Sequence, residues 1–540
     1  MTEPPLLIAC GGAGEVPPIA RVGAKAHHLA RMAALGLPVP PAFVIGSEWC
    51  GRHQALAPAV WAEALAALEH ATGLRLGDGR HPLVLSVRSG AASSMPGMME
   101  TLLDIGLADH TLPGLLRLTG NPRLVWDAYR RLVAGFGEVV MGVDPGVFER
   151  DLQIVAADRD ERDLDYAELR QVARLHLASV QRESGRAFPQ QPAEQLAAAI
   201  GAVFGSWQAD KAATYRRLHG VPDQPGTAVT VQAMVFGNAG GNSGAGVAFT
   251  RHPSTGDPEP WVDFLFKAQG EDVVSGRRTA RGHEALASVA PAIWDELQGH
   301  LRRLEQAFGD MQDVEFTVEN GRLWLLQARS GKRTPQAAAR IALDLLDEGL
   351  IDADEARRRT AGLDEAALAV PRIATEGLGA EVIVLATAVS AAHGVAGGEI
   401  VLDEARARSR HDAGVPVVLL RQDAETRDLA ALDLAQGLLT TRGARTSHAA
   451  VVARQLGKVC LVGCEDLAID PARRRVRFGP LELAEGEVIT LDGHRGAVYR
   501  GQVRTVHEAP AGLLQRLALL RGEAVSGAPA SSGPDPAGPG

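Results

Sequence analysis

Apolar and polar positions along this chain follow two rhythms. Up to about residue 335, short apolar runs that read as strands are interleaved with stretches of helical spacing, the pattern of an α/β region. Residues 337–346, AAARIALDLL, then keep an amphipathic helical period, and residues 352–359 continue it in charged form, so 336–375 is predicted to be a helical linker. A compact second region, 376–505, opens with apolar strands near 382–384 and 399–402 and closes with others at 487–493 and 496–499. Inside it Gly437-Leu438-Leu439 reads as a short strand, Gly443 permits a tight turn, and residues 449–456 have helix-forming composition. The stretch 506–540 holds one short amphipathic helix at 512–521, expected to pack on its parent domain. Beyond it, residues 526–540 are almost all Gly, Ala, Pro and Ser and are expected to stay disordered for want of apolar surface.

Length and charge narrow the class. A chain of 540 residues holds two to four domains. With 55 Lys and Arg against 65 Asp and Glu the formal net charge is −10, which argues against a nucleic-acid scaffold. Hydrophobic residues make up 46%, yet no apolar run approaches the length of a membrane span. Glu3, Pro4 and Pro5 stand where a secretory signal would be basic, so a cytoplasmic location is expected. The four cysteines, Cys10, Cys50, Cys460 and Cys464, are too few to staple the chain, and Cys460 and Cys464 read as small buried apolar residues rather than a zinc pair.

Three places carry candidate chemistry. His448 stands where a glycine turn passes into a helix, so helix N–H groups, the helix dipole, Arg445, Thr446 and Ser447 could all serve a phosphoryl group on its imidazole. A lone histidine there could equally cap or pack the helix. A strand ending in Arg88, followed by a small-residue loop through residue 101, offers a guanidinium and close backbone approach to a polyphosphate, although on composition alone such a stretch is most often only a loop. Asp313 and Glu315 share one face of a strand, Gln327 and Arg329 one face of the next, and Asn320-Gly321 is a hairpin turn between them. The two carboxylates suit Mg²⁺; without further information they suit an exposed strand face as well.

The actual strings decide between these readings. Residues 440–454, TTRGARTSHAAVVAR, closely resemble the phosphohistidine motif TTRGGMTSHAAVVAR of the pyruvate, phosphate dikinase family, departing at Ala444 and Arg445. Residues 86–99, SVRSGAASSMPGMM, resemble the family's phosphate loop, and favour the phosphate-using dikinase over the related phosphoenolpyruvate synthase. VGAKA at 22–26, LGLPVPP at 35–41, WDAYRR at 126–131, FTRHPSTG at 249–256 and AQGEDVV at 268–274 extend the likeness over nearly all of residues 20–335.

The resemblance implies an α/β and α+β multidomain protein: an ATP-grasp nucleotide-binding domain over 1–335, the helical linker 336–375, a swivelling β/β/α phosphohistidine domain over 376–505, and the short helix and tail of 506–540. It implies that His448 attacks the β-phosphorus of ATP, releasing AMP, and that inorganic phosphate then takes the γ-phosphoryl group as pyrophosphate. It assigns ATP to Lys25, Arg88, Glu271, Asp313, Glu315 and Gln327, Mg²⁺ to Asp313 and Glu315, and the inorganic phosphate or the transferred group to Arg329. Thr446 falls on a position that some relatives phosphorylate for regulation.

Two departures qualify the picture. The likeness stops short of the family's C-terminal barrel for pyruvate or phosphoenolpyruvate, so the acceptor is expected on a separate barrel subunit, with this chain alone monomeric or weakly associated. A different protein or small-molecule acceptor, and an ATP-binding regulator without turnover, are the alternatives. The family's SPG entry to the histidine domain is replaced by Ala392-His393-Gly394, and no catalytic role passes to His393.

Overall fold

A computed structural model describes residues 5–8, 16–93, 95, 99–157, 159–223, 226–274, 283–374, 383–423, 428–443, 445 and 448–523. The side chains of Glu271 and His448, together with Thr446, Cys10 and residues 524–540, lie outside that description. By contact the chain divides into two units, one of Met1–Ala248, Val262–Leu304 and Gln312–Ser330, the other of Phe249–Trp261, Glu305–Met311 and Gly331–Gly540.

The first unit contains a five-stranded antiparallel sheet of β1 (Leu6–Ile8), β2 (Ala42–Ile45), β3 (Leu85–Ala91), β4 (Thr101–Ile105) and β5 (Thr227–Ala233), ordered β1-β2-β5-β3-β4. The β-branched sequence TAVTVQA of β5 suits its central place, where every residue is buried. Helices complete the core. In Pro122–Val139 the buried Leu124, Val125, Ala128, Tyr129, Leu132, Val133 and Phe136 recur at helical spacing, and the Asn121 side chain accepts the Leu124 N–H at 3.1 Å to start the helix. Tyr166–Ser184 begins with a capping box between Asp165 and Glu168 and ends at Gly185, whose φ of 70° places it in the left-handed region.

A second sheet is ordered β7-β6-β8-β9, from β6 (Gly244–Phe249), β7 (Trp261–Phe266), β8 (Gln312–Glu319) and β9 (Arg322–Ser330). As the sequence predicts, β8 and β9 form a hairpin through Asn320 and Gly321, with φ of 50° and 80°. Two positive φ values in succession are the mark of the tight turn that matches strand twist.

The second unit is built on an eight-stranded mixed sheet. Its order is Val384–Thr387, Ala497–Arg500, Val488–Asp492, Val395–Val401, Val417–Arg421, Gly437–Thr440, Val459–Val462 and Val389–Ala392. The four strands from Val395–Val401 to Val459–Val462 run parallel, joined by the helices Glu404–Asp412, Leu429–Leu434 and His448–Gln455. The stretch read as a linker holds the helices Pro335–Asp347, Ala353–Arg359 and Glu365–Leu368, opened by Thr334, Asp352 and Asp364, whose side chains accept N–H groups of the first turn, and it falls within the second unit. It ends in a strand, Val370–Ile373, paired antiparallel with Thr505–Glu508. The Ala511–Arg521 helix packs Leu513 and Leu517 against Ala339, Leu343 and Leu368 of the linker helices, and Arg516 reaches Asp344 and Asp347, each at 2.8 Å.

Long-range ion pairs explain why two short stretches from earlier in the chain belong to this second unit. Arg251, only 2% exposed, meets Glu305 and Glu348 at 2.8 Å and Asp344 at 3.5 Å. Arg333 holds both oxygens of Asp310. Cys50, Cys460 and Cys464 are buried free thiols, and burial pushes Cys460 up to about 12 and Cys464 up to about 11, which makes them inert packing groups. Among the described residues no helix is long and apolar enough to cross a membrane.

Candidate active site

Lys25, Arg88, Asp313, Glu315, Gln327 and Arg329 come together in the first unit. Lys25 lies on Ile19–Ala34, whose regular turns are interrupted at Gly23 by φ 76° and ψ 165°. A Cβ on Gly23 would stand 1.9 Å from the Gly90 carbonyl oxygen, so only glycine lets this helix lie so close to β3. His28, one turn beyond Lys25, fixes the same helix to β9 through a 2.8 Å hydrogen bond between Nδ1 and the Ala328 carbonyl.

Arg88 corrects one expectation. The strand does not end there: β3 runs on to Ala91, with Arg88 opposite Thr230 of β5 and Thr101 of β4, because the ladder with β5 continues to Thr227. Thr227 also accepts the Gly90 N–H on its hydroxyl at 3.1 Å. Of the loop that follows, Ser94 and residues 96–98 fall outside the described residues.

From β3 the Arg88 guanidinium donates to Glu315 Oε2 at 3.2 Å and to Gln327 Oε1 at 3.3 Å. Glu315 and Gln327 are cross-strand partners, as are Asp313 and Arg329, and Arg329 Nε donates to Asp313 Oδ2 at 2.8 Å. The cross-strand pairing follows from a register shift between Glu315 and Phe316, which leaves Leu326 without an opposite residue and brings Gln327 and Arg329 opposite the two carboxylates. Three cations and two carboxylates face one another here. Burial first, then the fields of Arg88 and Arg329, lower the Lys25 ammonium to about 8, while Glu315 pulls the other way.

The donor set bears on a metal. Among the described residues no group of three or more His, Cys, Asp or Glu side chains is placed to hold an ion. Asp313 and Glu315 are hard oxygen donors on one strand face; they suit a cation that takes its remaining ligands from phosphates and water, not a site closed by protein alone.

The second candidate centre lies in the second unit. Gly437–Thr440 lies between two parallel neighbours, its chain turns at Gly443 with φ 135°, and His448 is the first residue of His448–Gln455. The predicted strand and helix are present, and of the passage between them Ala444, Thr446 and Ser447 fall outside the described residues. Arg454, buried to 2% exposure, ties the far end of that helix down by donating from Nη2 to the Ala391 carbonyl at 2.7 Å and the Arg445 carbonyl at 3.3 Å. Glu271 lies on the short helix Gly270–Val274 of the first unit. Gly23 and His28 were not singled out from the sequence as site residues. Gly23 stands inside the VGAKA string and His28 shares a helix face with Lys25, which are the signals that point to them.

The family model described as pyruvate phosphate dikinase, AMP/ATP-binding domain, matches residues 52–285 and 283–349, and that described as PEP-utilising enzyme, mobile domain, matches 414–496. Pyruvate, phosphate dikinase of Rhizobium meliloti (strain 1021) is 41% identical over 506 residues, covering 89% of this chain and 56% of the relative. That of Clostridium symbiosum is 39% identical over 511 residues, covering 92% and 58%, and that of Giardia intestinalis 40% over 501 residues, covering 90% and 56%. The chain thus spans a little over half the length of these relatives. With an ATP-grasp region carrying the Lys25–Arg88–Asp313–Glu315 cluster and a mobile domain carrying His448, the chain belongs to the pyruvate, phosphate dikinase family.

Proposed function

We propose that this chain transfers the β-phosphoryl group of ATP to His448, with inorganic phosphate as second substrate, and passes it on to pyruvate held by a separate barrel subunit. The convergence of Lys25 and Arg88 on the Asp313–Arg329 and Glu315–Gln327 pairs is the observation that carries this reading. An imidazole nitrogen of His448 attacks the β-phosphorus, an N–P bond forms, and the α–β bridging P–O bond breaks to free AMP. Inorganic phosphate then attacks the γ-phosphorus of the pyrophosphoryl-histidine and leaves as pyrophosphate, with one phosphoryl group remaining on His448. Arg88 and Lys25 hold the nucleotide's phosphates, Gln327 and Glu315 fix the Arg88 guanidinium, and Arg329 serves the γ-phosphoryl group or the incoming phosphate. Glu271 completes the nucleotide set by the family's pattern. Asp313 and Glu315 would hold Mg²⁺, which would supply charge neutralisation for the phosphates. Thr446 is a candidate regulatory phosphorylation site.

Incubating the purified chain with Mg²⁺, inorganic phosphate and ATP labelled at the β- or the γ-position tests the half-reaction. Acid-labile label from the β-position stays on the protein, while γ-label leaves as pyrophosphate in step with AMP. Retention of γ-label, or ADP as the product, would replace this mechanism with simple γ-transfer. An acceptor survey with added pyruvate-binding barrel protein then tests the second half; discharge of label only to another compound sinks the pyruvate assignment.

Lys25 adds a pH signature. Its ammonium titrates near 8 in the free protein, and a bound polyphosphate stabilises the charged form. Affinity for ATP is therefore full below pH 8 and falls above it, by up to about tenfold per pH unit until the pKa of the complex is passed. Calorimetric titration from pH 7 to 9.5 at fixed Mg²⁺ measures this. Parallel profiles for wild type and Lys25→Met would assign the fall to another group.

A further inference from the structure

The departures His393 and Arg445 meet the same short stretch of chain. Within the second unit, Trp261 has the Arg445 guanidinium over its ring at 4.7 Å from the centroid and that of Arg454 at 5.0 Å. Phe249 lies 5.9 Å from Trp261, ring to ring. His252 stands 5.1 Å from Trp261 and 5.2 Å from His393, which stands 5.3 Å from His494. Three imidazoles thus form a row beside an indole ring that two guanidinium groups approach. His252 Nδ1 accepts the N–H groups of Ser254 and Thr255 at 3.2 and 3.3 Å, so that nitrogen keeps its lone pair and the ring is neutral. Phe249–Trp261 is also the connection between β6 and β7, in the sheet whose strands β8 and β9 carry Asp313, Glu315, Gln327 and Arg329.

We propose that Trp261 and His252 form a docking seat for the phosphohistidine turn, and that Arg445 and His393 are the positioning residues that hold the turn there while His448 takes its phosphoryl group from ATP. The role of the seat, though not its existence, rests on His448 being the phosphoryl carrier. Arg445 stands three residues before His448, the first residue of the helix His448–Gln455, so fixing its side chain limits where the start of that helix can go. Guanidinium-over-indole contact suits a joint that forms and releases, since it adds attraction without an interlocked shape.

The imidazole row gives the hold a pH response. Burial first, then Arg454, keeps His252 down to about 4; burial, then its two histidine neighbours, keeps His393 down to about 3; burial also lowers His494. The charged groups facing the row are Arg454, Arg445 and Arg372 on one side of the balance and Asp257, Asp492 and Glu508 on the other. An opened seat returns the rings toward their ordinary value near 6.5. Opening therefore takes up protons below that value, and the hold is full above it and weakens as pH falls.

Full-length wild type is compared with Arg445→Met, Trp261→Leu, Trp261→Phe and His393→Asn. Arg445→Met and Trp261→Leu slow the first-order appearance of acid-labile β-label about tenfold and leave the ATP dissociation constant within about twofold, whereas Trp261→Phe, which keeps an aromatic face, restores most of the rate. Hydrogen exchange in segments 249–261 and 450–454 rises together in the two slow variants. In wild type it also rises, beyond the intrinsic-rate correction, between pH 7.5 and 5.5, and His393→Asn blunts that rise. Unchanged or faster labelling, or an equal loss of ATP affinity, overturns the positioning role; exchange that changes in neither segment overturns the seat. Exchange that responds in a wild type taking no label upholds the seat and overturns the phosphoryl-carrier reading.

Discussion

His448→Asn abolishes the acid-labile β-label, reducing its rate of appearance by on the order of 10³-fold or more, and leaves ATP affinity unchanged. Asparagine suits the start of a helix, so the substitution removes the nucleophile without removing the fold at the first position of His448–Gln455. The nucleotide side chains Lys25, Arg88, Asp313 and Glu315 belong to the other unit, so binding and transfer are separable measurements. Calorimetry on the variant reads the first and filter-retained label the second. Label persisting at wild-type rate would place the phosphoryl group elsewhere, and ATP affinity lost together with label would show that the variant fails before chemistry.

Gly23→Ala is the substitution with the largest expected effect on the fold. Its φ of 76° with ψ of 165° belongs to a region essentially reserved for glycine, and the added methyl would press into the Gly90 carbonyl of β3, which is backbone and cannot swing aside. Strain of about 1–3 kcal/mol and overpacking of a similar size together predict a loss of about 2–6 kcal/mol in chemical denaturation. ATP affinity falls as well, because the same contact sets Lys25 beside Arg88. Gly36→Ala is the matched control: its φ is 68° but nothing lies within 4 Å of the added carbon, so its cost stays near about 1 kcal/mol. Equal losses at the two positions would remove the close approach as the cause.

The parts of this molecule that were legible in the sequence are those encoded locally. Asn320-Gly321 between two period-two runs specified the hairpin; the pairing of Asp313 with Arg329 and Glu315 with Gln327 depends on a register shift between Glu315 and Phe316, which the turn does not encode. The apolar run before Gly443 and the helix-forming composition after it specified the strand Gly437–Thr440 and the helix at His448. The misreading of Arg88 as a strand end arose because its strand is prolonged by β5, more than a hundred residues away, and small residues such as Ser89, Gly90 and Ala91 read locally as loop. Distant partners also hid the meeting of His252 with His393 and the Arg251–Glu305–Glu348 network that draws Phe249–Trp261 and Glu305–Met311 into the second unit. Composition and period carry no information about contacts of that separation; a family motif carries some, as the match of residues 249–256 did, without saying what they touch.

The short ladder between Val370–Ile373 and Thr505–Glu508 closes the eight-stranded sheet and its helices into a loop of chain whose two ends lie side by side, about 5 Å apart as neighbouring strands are. A fold that enters and leaves through one doorway is a cassette. Such a segment can be inserted into, or moved between, host chains with little disturbance to what precedes or follows it, because a host needs only one exposed junction to accept both ends.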